Sequence, residues 1–376
     1  MQMMAQTHQE ESHEELRLGV NLHDNLYDLR QIDSNPNFWY PVAWSSKVRR
    51  GKAFGARYGD QPIVLVRPEY GPIYALEDRC AHRQVPLSKG VVDENGCVKC
   101  CYHGWAFDHR GQCVTVPYLS REDVGRPVRV YPCREKGGLV FVFPGDPALS
   151  DKVPLPDVAQ VDNPAYKTRC FSPRLKCHYT FMHENLMDMN HQFLHRRQMG
   201  YINARFLGQD VGEDFIEARY SFARTRGKQP WAERLIFGRH YDLNGREQPV
   251  EEVVSIRTVY PYQTLKIHDK DGDLIMDLWA CYLPIGKTQH ITQSFGLLSV
   301  KKPQWSFLLD MAWPVLGVFT HRIFEEDREI VEMEQKAWYE LGGDRNVEVF
   351  PVIRKLRHLL ATQGVPNPYA DAIDKK

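Results

Sequence analysis

Four residues in two short loops pair a thiol with an imidazole twice: Cys80-Ala81-His82 and Cys100-Cys101-Tyr102-His103. Two cysteines and two histidines suit either a single tetrahedral zinc or a two-iron, two-sulfur cluster. In such a cluster one iron takes both thiolates and the other both imidazoles, which raises the reduction potential above that of an all-cysteine cluster. Farther along lies Asn185-Leu186-Met187-Asp188-Met189-Asn190-His191-Gln192-Phe193-Leu194-His195. On a helix, His191 and His195 stand one turn apart on one face, and Asp188, three residues before His191, shares it. Two imidazoles and a carboxylate make the facial triad of non-haem ferrous iron, with positions left open for oxygen. His-x-x-x-His alone is a weak signal, since two polar residues on a solvated helix face have the same spacing. Asn185 and Asp188 at matching spacing, and the upstream thiol–imidazole loops, strengthen it.

A second carboxylate competes for the iron. In Phe324-Glu325-Glu326-Asp327-Arg328-Glu329-Ile330-Val331, helical spacing aligns Phe324, Asp327, Ile330, Val331 and Glu334. Asp327 thus interrupts an apolar stripe, and a carboxylate on a buried face needs a counter-charge such as ferrous iron. Glu325 and Glu326 match no stripe and read as the solvated part of the helix. Among the other thiols near the first loops, Cys-x-x-His spacing selects Cys100 and turns Cys101 elsewhere, while Cys97 and Cys113 read as small buried apolar residues.

The elements that must hold these residues fall into two groups. Residues 1–36 read as a polar arm ending at the Asn35-Pro36 break. Strands are expected at residues 62–66, 73–76 and 138–143, the first two around a Glu69-Tyr70-Gly71-Pro72 turn. The breaker-rich run from Pro144 to Pro156 marks a boundary, giving a first domain over 37–148 and a second over 149–376. In the second, a helix is expected near 180–196, strands at 252–259, 274–281 and 291–296, and a long helix over roughly 321–341. Strands in runs, flanked by helices, indicate an α+β fold. No repeat, low-complexity tract or GxGxxG nucleotide fingerprint is present.

Composition narrows the classes further. With 48 Lys plus Arg against 48 Asp plus Glu, no basic excess points to nucleic acid or to an acidic membrane surface. The N-terminal residues are polar and show no signal peptide. The apolar stretch Trp305–Thr320 is too short to span a bilayer and is interrupted by Asp310 and Pro314, so no transmembrane segment is expected. Nine cysteines, an odd count, favour thiols and metal ligands over a disulfide framework and a cytoplasmic setting.

Cys80-Ala81-His82-Arg83 and Tyr102-His103-Gly104-Trp105 resemble the two cluster-binding loops of Rieske proteins, over roughly residues 38–145. Cys101 stands where that family usually has proline. With the second motif included, nearly the whole chain resembles the terminal oxygenase (alpha) component of Rieske non-haem iron oxygenases. The resemblance implies an all-β Rieske [2Fe-2S] domain followed by a helix-grip-like catalytic domain with a central antiparallel sheet. Cys80, His82, Cys100 and His103 would hold the cluster, and His191 and His195, with Asp327, the mononuclear Fe(II). The resemblance assigns Asp188 another part: its carboxylate would bridge a metal histidine and a cluster histidine of the neighbouring subunit, carrying the electron between centres.

Electrons from NADH or NADPH would arrive through a separate reductase or ferredoxin, with O2 as co-substrate. Head-to-tail closure into a homotrimer would set each cluster beside another subunit's iron. The apolar residues around the second motif (Phe181, Met182, Leu186, Met187, Met189 and Phe193) are expected to be mostly packing, with some walling a site for a hydrophobic or cyclic substrate. Trp305–Thr320 could contribute an entrance. The compact length resembles oxygenases that hydroxylate or oxidatively demethylate; ring cis-dihydroxylation is the enzymatic alternative. A Rieske electron carrier or a zinc-stabilised binding protein is the non-enzymatic one.

Overall fold

The computed structural model describes residues 28–117, 119, 126–226, 253–269 and 271–368. Most of the polar arm therefore lies outside the described residues, as does Glu252 of the expected 252–259 strand.

The N-terminal part is all β. The expected 62–66 strand is Gln61–Arg67, flanked by Lys52–Tyr58 on one side and Tyr74–Glu77 on the other, with Val130–Tyr131 beyond. Its run Ile63-Val64-Leu65-Val66 is fully buried, and period-two alternation divides it between two cores. Val64 and Val66 face Cys80, Leu87, Val98, Cys100 and Phe107, the side that carries the thiol–imidazole loops. Ile63 and Leu65 face the opposite way, into a core that includes Trp39, Phe141 and Phe143 together with Trp279, Cys281, Leu283, Phe295 and Leu297 of the following part. One strand thus ties the loops to the rest of the molecule without a polar seam.

The C-terminal part is built on an antiparallel sheet. Its strands run in the order Tyr166–Phe171, Ile291–Lys301, Leu274–Ile285, Tyr262–His268, Val253–Val259, Phe215–Arg226 and Tyr201–Val211, with Arg174–Leu175 also on Ile291–Lys301. Strict alternation of buried and half-buried residues along Tyr262–His268 fits a sheet that packs helices on one face. Among the described residues four α-helices follow in chain order: α1 (Tyr179–Met187), α2 (Arg196–Met199), α3 (Ser306–Leu341) and α4 (Pro351–Gln363). Leu309, Ala312 and Leu316 of α3 and Val352, Ile353, Leu356 and Leu360 of α4 join Ile256, Leu265, Leu278 and Leu298 of the sheet in one core. The α+β expectation is borne out.

Helix α3 corrects two readings. It starts at Ser306, well before residue 321, and absorbs the apolar stretch that Asp310 and Pro314 seemed to interrupt. The buried spacing Leu309, Ala312, Leu316 continues across Pro314, so packing offsets the missing backbone hydrogen bond. Its length and composition also suffice for a bilayer span. Yet its inner face is packed on the sheet, and Asp327 is buried on the same helix.

A charged cluster joins the chain ends to α1. Arg30, almost fully buried, donates to Glu184 Oε2 (2.6 Å) and Thr180 Oγ1 (2.7 Å). Arg357 of α4 pairs with Glu184 Oε1 and with Asp344, both at 2.5 Å. Asp33 pairs through its backbone with Val365, and its buried Oδ1 has no partner among the described residues. Burial first, and Asp60 next, push its carboxyl up to about 7. The folded state therefore bears no penalty below the ordinary value near 3.8 and the full penalty above about 7. Asp33→Asn is expected to stabilise the protein by about 1–2 kcal/mol at pH 8, with the gain vanishing toward pH 4, in thermal melts across that range.

Candidate functional site

The two thiol–imidazole loops fold alike. The Cys80 N–H donates to the Val85 carbonyl and its carbonyl accepts from Gln84 N–H; the Cys100 N–H donates to the Trp105 carbonyl and its carbonyl accepts from Gly104 N–H. Gln84 and Gly104 occupy matching left-handed positions, at φ 62° and 71°. Glycine adopts this without cost, whereas Gln84 is held there by the loop. Cys80 and Cys100 lie buried at the base, while His82 and His103 are exposed at the tip, their ring centroids 4.6 Å apart. The His82 ring stacks on Trp105 at 4.8 Å and 5°. Thiols inside and imidazoles outside form two tiers, the arrangement that a two-iron cluster demands. Burial pushes the Cys80 thiol up to about 11, so a thiolate there needs the positive charge of a metal beside it. Cys101 is exposed and Cys97 and Cys113 are buried, as expected.

Around the second motif the structure departs from a single helix over 180–196. Helix α1 ends at Met187, and Asp188 caps it in an extended conformation (φ −84°, ψ 91°). The Asp188 carboxylate accepts from the Asn190 N–H and from Asn190 Nδ2, each at 2.9 Å, and a 3-10 turn over Met189–Phe193 follows. An aspartate that bonds the backbone two residues on competes with helix continuation, which is why the chain breaks here. Asp188 therefore shares no helical face with His191 and His195. The two histidines meet all the same, with ring centroids 5.1 Å apart at 88°.

Asp327 of α3 completes the group: one donor atom from each of His191, His195 and Asp327 lies within 4.8 Å of the others. The Asp327 Oδ1 is 3.2 Å from His195 Nε2 and 3.8 Å from His191 Nε2. The far ring nitrogens are occupied. His191 Nδ1 donates to the Asp188 carbonyl, and His195 Nδ1 donates to Glu326 Oε2 at 2.9 Å. Both bonds place the ring proton on Nδ1 and leave the Nε2 lone pairs aimed at the carboxylate. The buried His195 Nε2 has no aligned hydrogen-bond partner. With both Nε2 atoms deprotonated, the three converging lone pairs fit a divalent cation, and the donor types suit ferrous iron. Without a metal, burial pushes the Asp327 carboxyl upward, but a hydrogen bond from His195 and the charges of both rings when protonated outweigh it and hold it below the usual range, a part that a bound cation would take over; Asn185 Nδ2 adds a hydrogen bond of 3.0 Å.

The stripe on α3 differs in part from the expected one. Asp327 is 9% exposed and Val331 is buried, but the buried line continues through Gln335 and Trp338, leaving Ile330 and Glu334 at the surface. Glu326 is the larger correction: lacking a matching stripe it is expected to be solvated, yet it binds His195. Its only sequence signal was adjacency to Asp327, because contact with His195 depends on how α3 crosses the 3-10 turn. Glu325 pairs with Arg328 on the outer side, as a solvated residue would.

Beside His191 opens a cavity of about 560 Å³ whose walls include Glu184, Asp188, Glu334 and Glu348 with Phe193 and Val347. Arg30 lines it too, paired with Glu184, so carboxylates are in excess but not alone. Phe181, Phe193 and Leu194 also line it, so the apolar wall expected around the motif is present in part. Phe181, Met187 and Met189 are core residues, as expected for most of that apolar set, whereas Phe193 is exposed.

Residues 38–132 match the Rieske [2Fe-2S] domain family, and residues 175–353 match the vanillate O-demethylase oxygenase C-terminal domain family. The 4beta-methylsterol monooxygenase of Methylococcus capsulatus is 30% identical over 88% of this chain and 89% of that protein. The dicamba O-demethylase oxygenase component of Stenotrophomonas maltophilia is 39% identical over 43% of this chain and 47% of its own length. A crystal structure of dicamba monooxygenase bound to 3,6-dichlorosalicylic acid superposes with a TM-score of 0.71 and 26% identity, covering 88% of this chain and 98% of that one.

Proposed function

This chain belongs to the Rieske non-haem iron oxygenases as a terminal oxygenase component, and within that family we propose that it monooxygenates a hydrophobic polycyclic substrate of the sterol class. The protein carries a [2Fe-2S] cluster and a mononuclear iron and draws electrons from a separate reductase or ferredoxin. The observation that carries the proposal is the convergence of His191, His195 and Asp327 in a chain similar over 88% of its length to a methylsterol monooxygenase.

In this reading Cys80, His82, Cys100 and His103 hold the cluster, and His191, His195 and Asp327 hold the iron. Bound ferrous iron supplies the activation of O2 beside the substrate. The chain's own part is to keep three lone pairs converging. Glu326 and the Asp188 carbonyl fix the two ring protons on Nδ1, and Asn185 fixes the Asp327 oxygen. Outer partners of this kind set metal affinity, so Glu326→Ala is expected to weaken iron binding by about 10–100-fold, read by iron retained against a chelator.

The acidic cavity beside His191 supports docking of a neighbouring subunit's cluster tip, where Arg83 lies exposed with His82 and His103. A head-to-tail homotrimer closes this contact on every subunit. There the Asp188 carboxylate would exchange Asn190 for a cluster histidine of the neighbour. Asp188→Asn is expected to keep both metals and slow cluster-to-iron electron transfer in single turnover; an unchanged rate removes the bridge.

The function itself is tested with a surrogate reductase, a panel of methylated sterols and small aromatic acids, and isotopic O2. One labelled oxygen in a sterol product supports the proposal. Two labelled oxygens in a cis-diol, or turnover of the aromatic acids alone, overturns it.

A further inference from the structure

The first half of α3 is apolar on both sides. Leu309, Ala312 and Leu316 face the core, while Phe307, Met311, Val315 and Val318, spaced i, i+4, i+8 and i+11, share the opposite face and are 42–74% exposed. A helix apolar all round is ordinarily buried or in contact with lipid. Just before it, Trp305 stands 63% exposed. Beside Trp305, one corner of the sheet gathers three lysines: Lys301 is opposite Tyr166, Lys167 is the next residue on that strand, and the Lys302 N–H bonds the Ala165 carbonyl. Lys301 pairs with Asp273 and Lys167 with Asp310, surface pairs that exchange partners at little cost. Lys302 donates to the Pro164 carbonyl (2.8 Å) and has no acidic partner among the described residues.

We propose that this face of α3 docks on the surface of a bilayer containing anionic lipid. Exposed apolar side chains along a helix, an exposed tryptophan at its end and adjoining lysines are the composition of an interfacial helix. The lysines supply the charge complementarity with lipid phosphates, and their stems can lie along the apolar edge. The helix lies on the membrane without crossing it, because its inner face is held in the core. Val318 precedes Asp327 by nine residues, so the docked face ends about 14 Å of helix from the metal residues, on the other side of the same helix. Met311 lies 23 residues before Glu334, about 35 Å along the same helix, so a neighbour seated on the acidic cavity leaves the apolar face open. The inference rests on the proposed substrate class: a sterol-like molecule partitions into the bilayer, and docking brings its source to the site.

The test is flotation of the holoenzyme, without substrate, with vesicles of phosphatidylcholine alone or of phosphatidylcholine with phosphatidylglycerol. The wild type is expected to float with the anionic vesicles, and less so at high salt. Met311→Glu and Phe307→Glu are expected to abolish flotation, and Lys302→Ala to weaken it by about fivefold. Iron content and circular dichroism establish that each variant is folded; the surface Lys302→Ala change keeps the test valid if a glutamate variant misfolds. Failure of the wild type to float, or undiminished flotation of the folded glutamate variants, overturns the proposal. A smaller assembly for Met311→Glu in light scattering, with no flotation of the wild type, assigns the face to a second copy and overturns it too. Because substrate is absent, flotation and product analysis fail independently.

Discussion

Asp327→Ala is expected to leave the Rieske optical spectrum intact and to empty the mononuclear site. The purified wild type should contain about two irons and two sulfides for the cluster plus one further iron per chain; the variant should lose only the last. The loss should exceed the roughly 100-fold upper range for outer partners, because a donor is removed from a set of three. Product formation should fall to background even with electrons supplied in excess. The reason is local: with the carboxylate gone, the two Nε2 lone pairs face each other with nothing to balance a dication. Metal analysis beside the visible spectrum decides it. A variant that keeps its third iron and its turnover moves the role to another carboxylate, and Glu326, already on His195, is the first to test.

The second large effect is on stability. Arg357→Ala is expected to destabilise the folded protein by about 3–5 kcal/mol, because the buried Asp344 loses its cation while remaining desolvated and Glu184 is left with Arg30 alone. For a domain of this size that corresponds to a fall in Tm of roughly 6–20 °C. Acid should expose the same network. Burial pushes the Asp344 carboxyl upward, but Arg357 outweighs it and holds it below the usual range. Its contribution is therefore present above the ordinary value near 3.8 and is lost as pH falls through the lower folded value. The wild type should lose stability over that acid range, and Arg357→Ala should lose less there, having already lost the pair at neutral pH. Melts at pH 7 and through pH 4 to 2 measure both. Near-equal melting of variant and wild type at pH 7 would show that Asp344 finds another partner and that Arg30 suffices for Glu184. Because Glu184 adjoins Asn185 on α1, iron affinity in the variant should weaken as well.

Donor chemistry was legible without the fold. Cysteine and histidine at Cys-x-His and Cys-x-x-His spacing, and two histidines four apart, restrict the metals that a chain can hold, because ligand type and short spacing are local properties. The strand at Gln61–Arg67 was legible for a similar reason: a continuous run of β-branched and aliphatic residues between turn residues has few other uses. Asp327 could be selected because a carboxylate in an apolar stripe is costly unless something compensates it.

Where a capping interaction or a crossing of distant segments decides the outcome, local pattern was silent. The break at Asp188 follows from a side chain that bonds Asn190, so the histidines meet through a 3-10 turn instead of on one helical face. Glu326 and Glu325 are adjacent and chemically alike, yet only Glu326 reaches His195; the angle at which α3 passes the turn chooses between them. Pro314 reads as a stop, but packing of Leu309, Ala312 and Leu316 on the sheet carries the helix through it. The sequence by itself determined which atoms can bind iron and sulfur, since that is written in residue types a few positions apart. Only the tertiary structure decided which of those atoms converge, which proton each imidazole keeps and which apolar face of α3 remains open, because these depend on segments more than 100 residues apart being packed against one another.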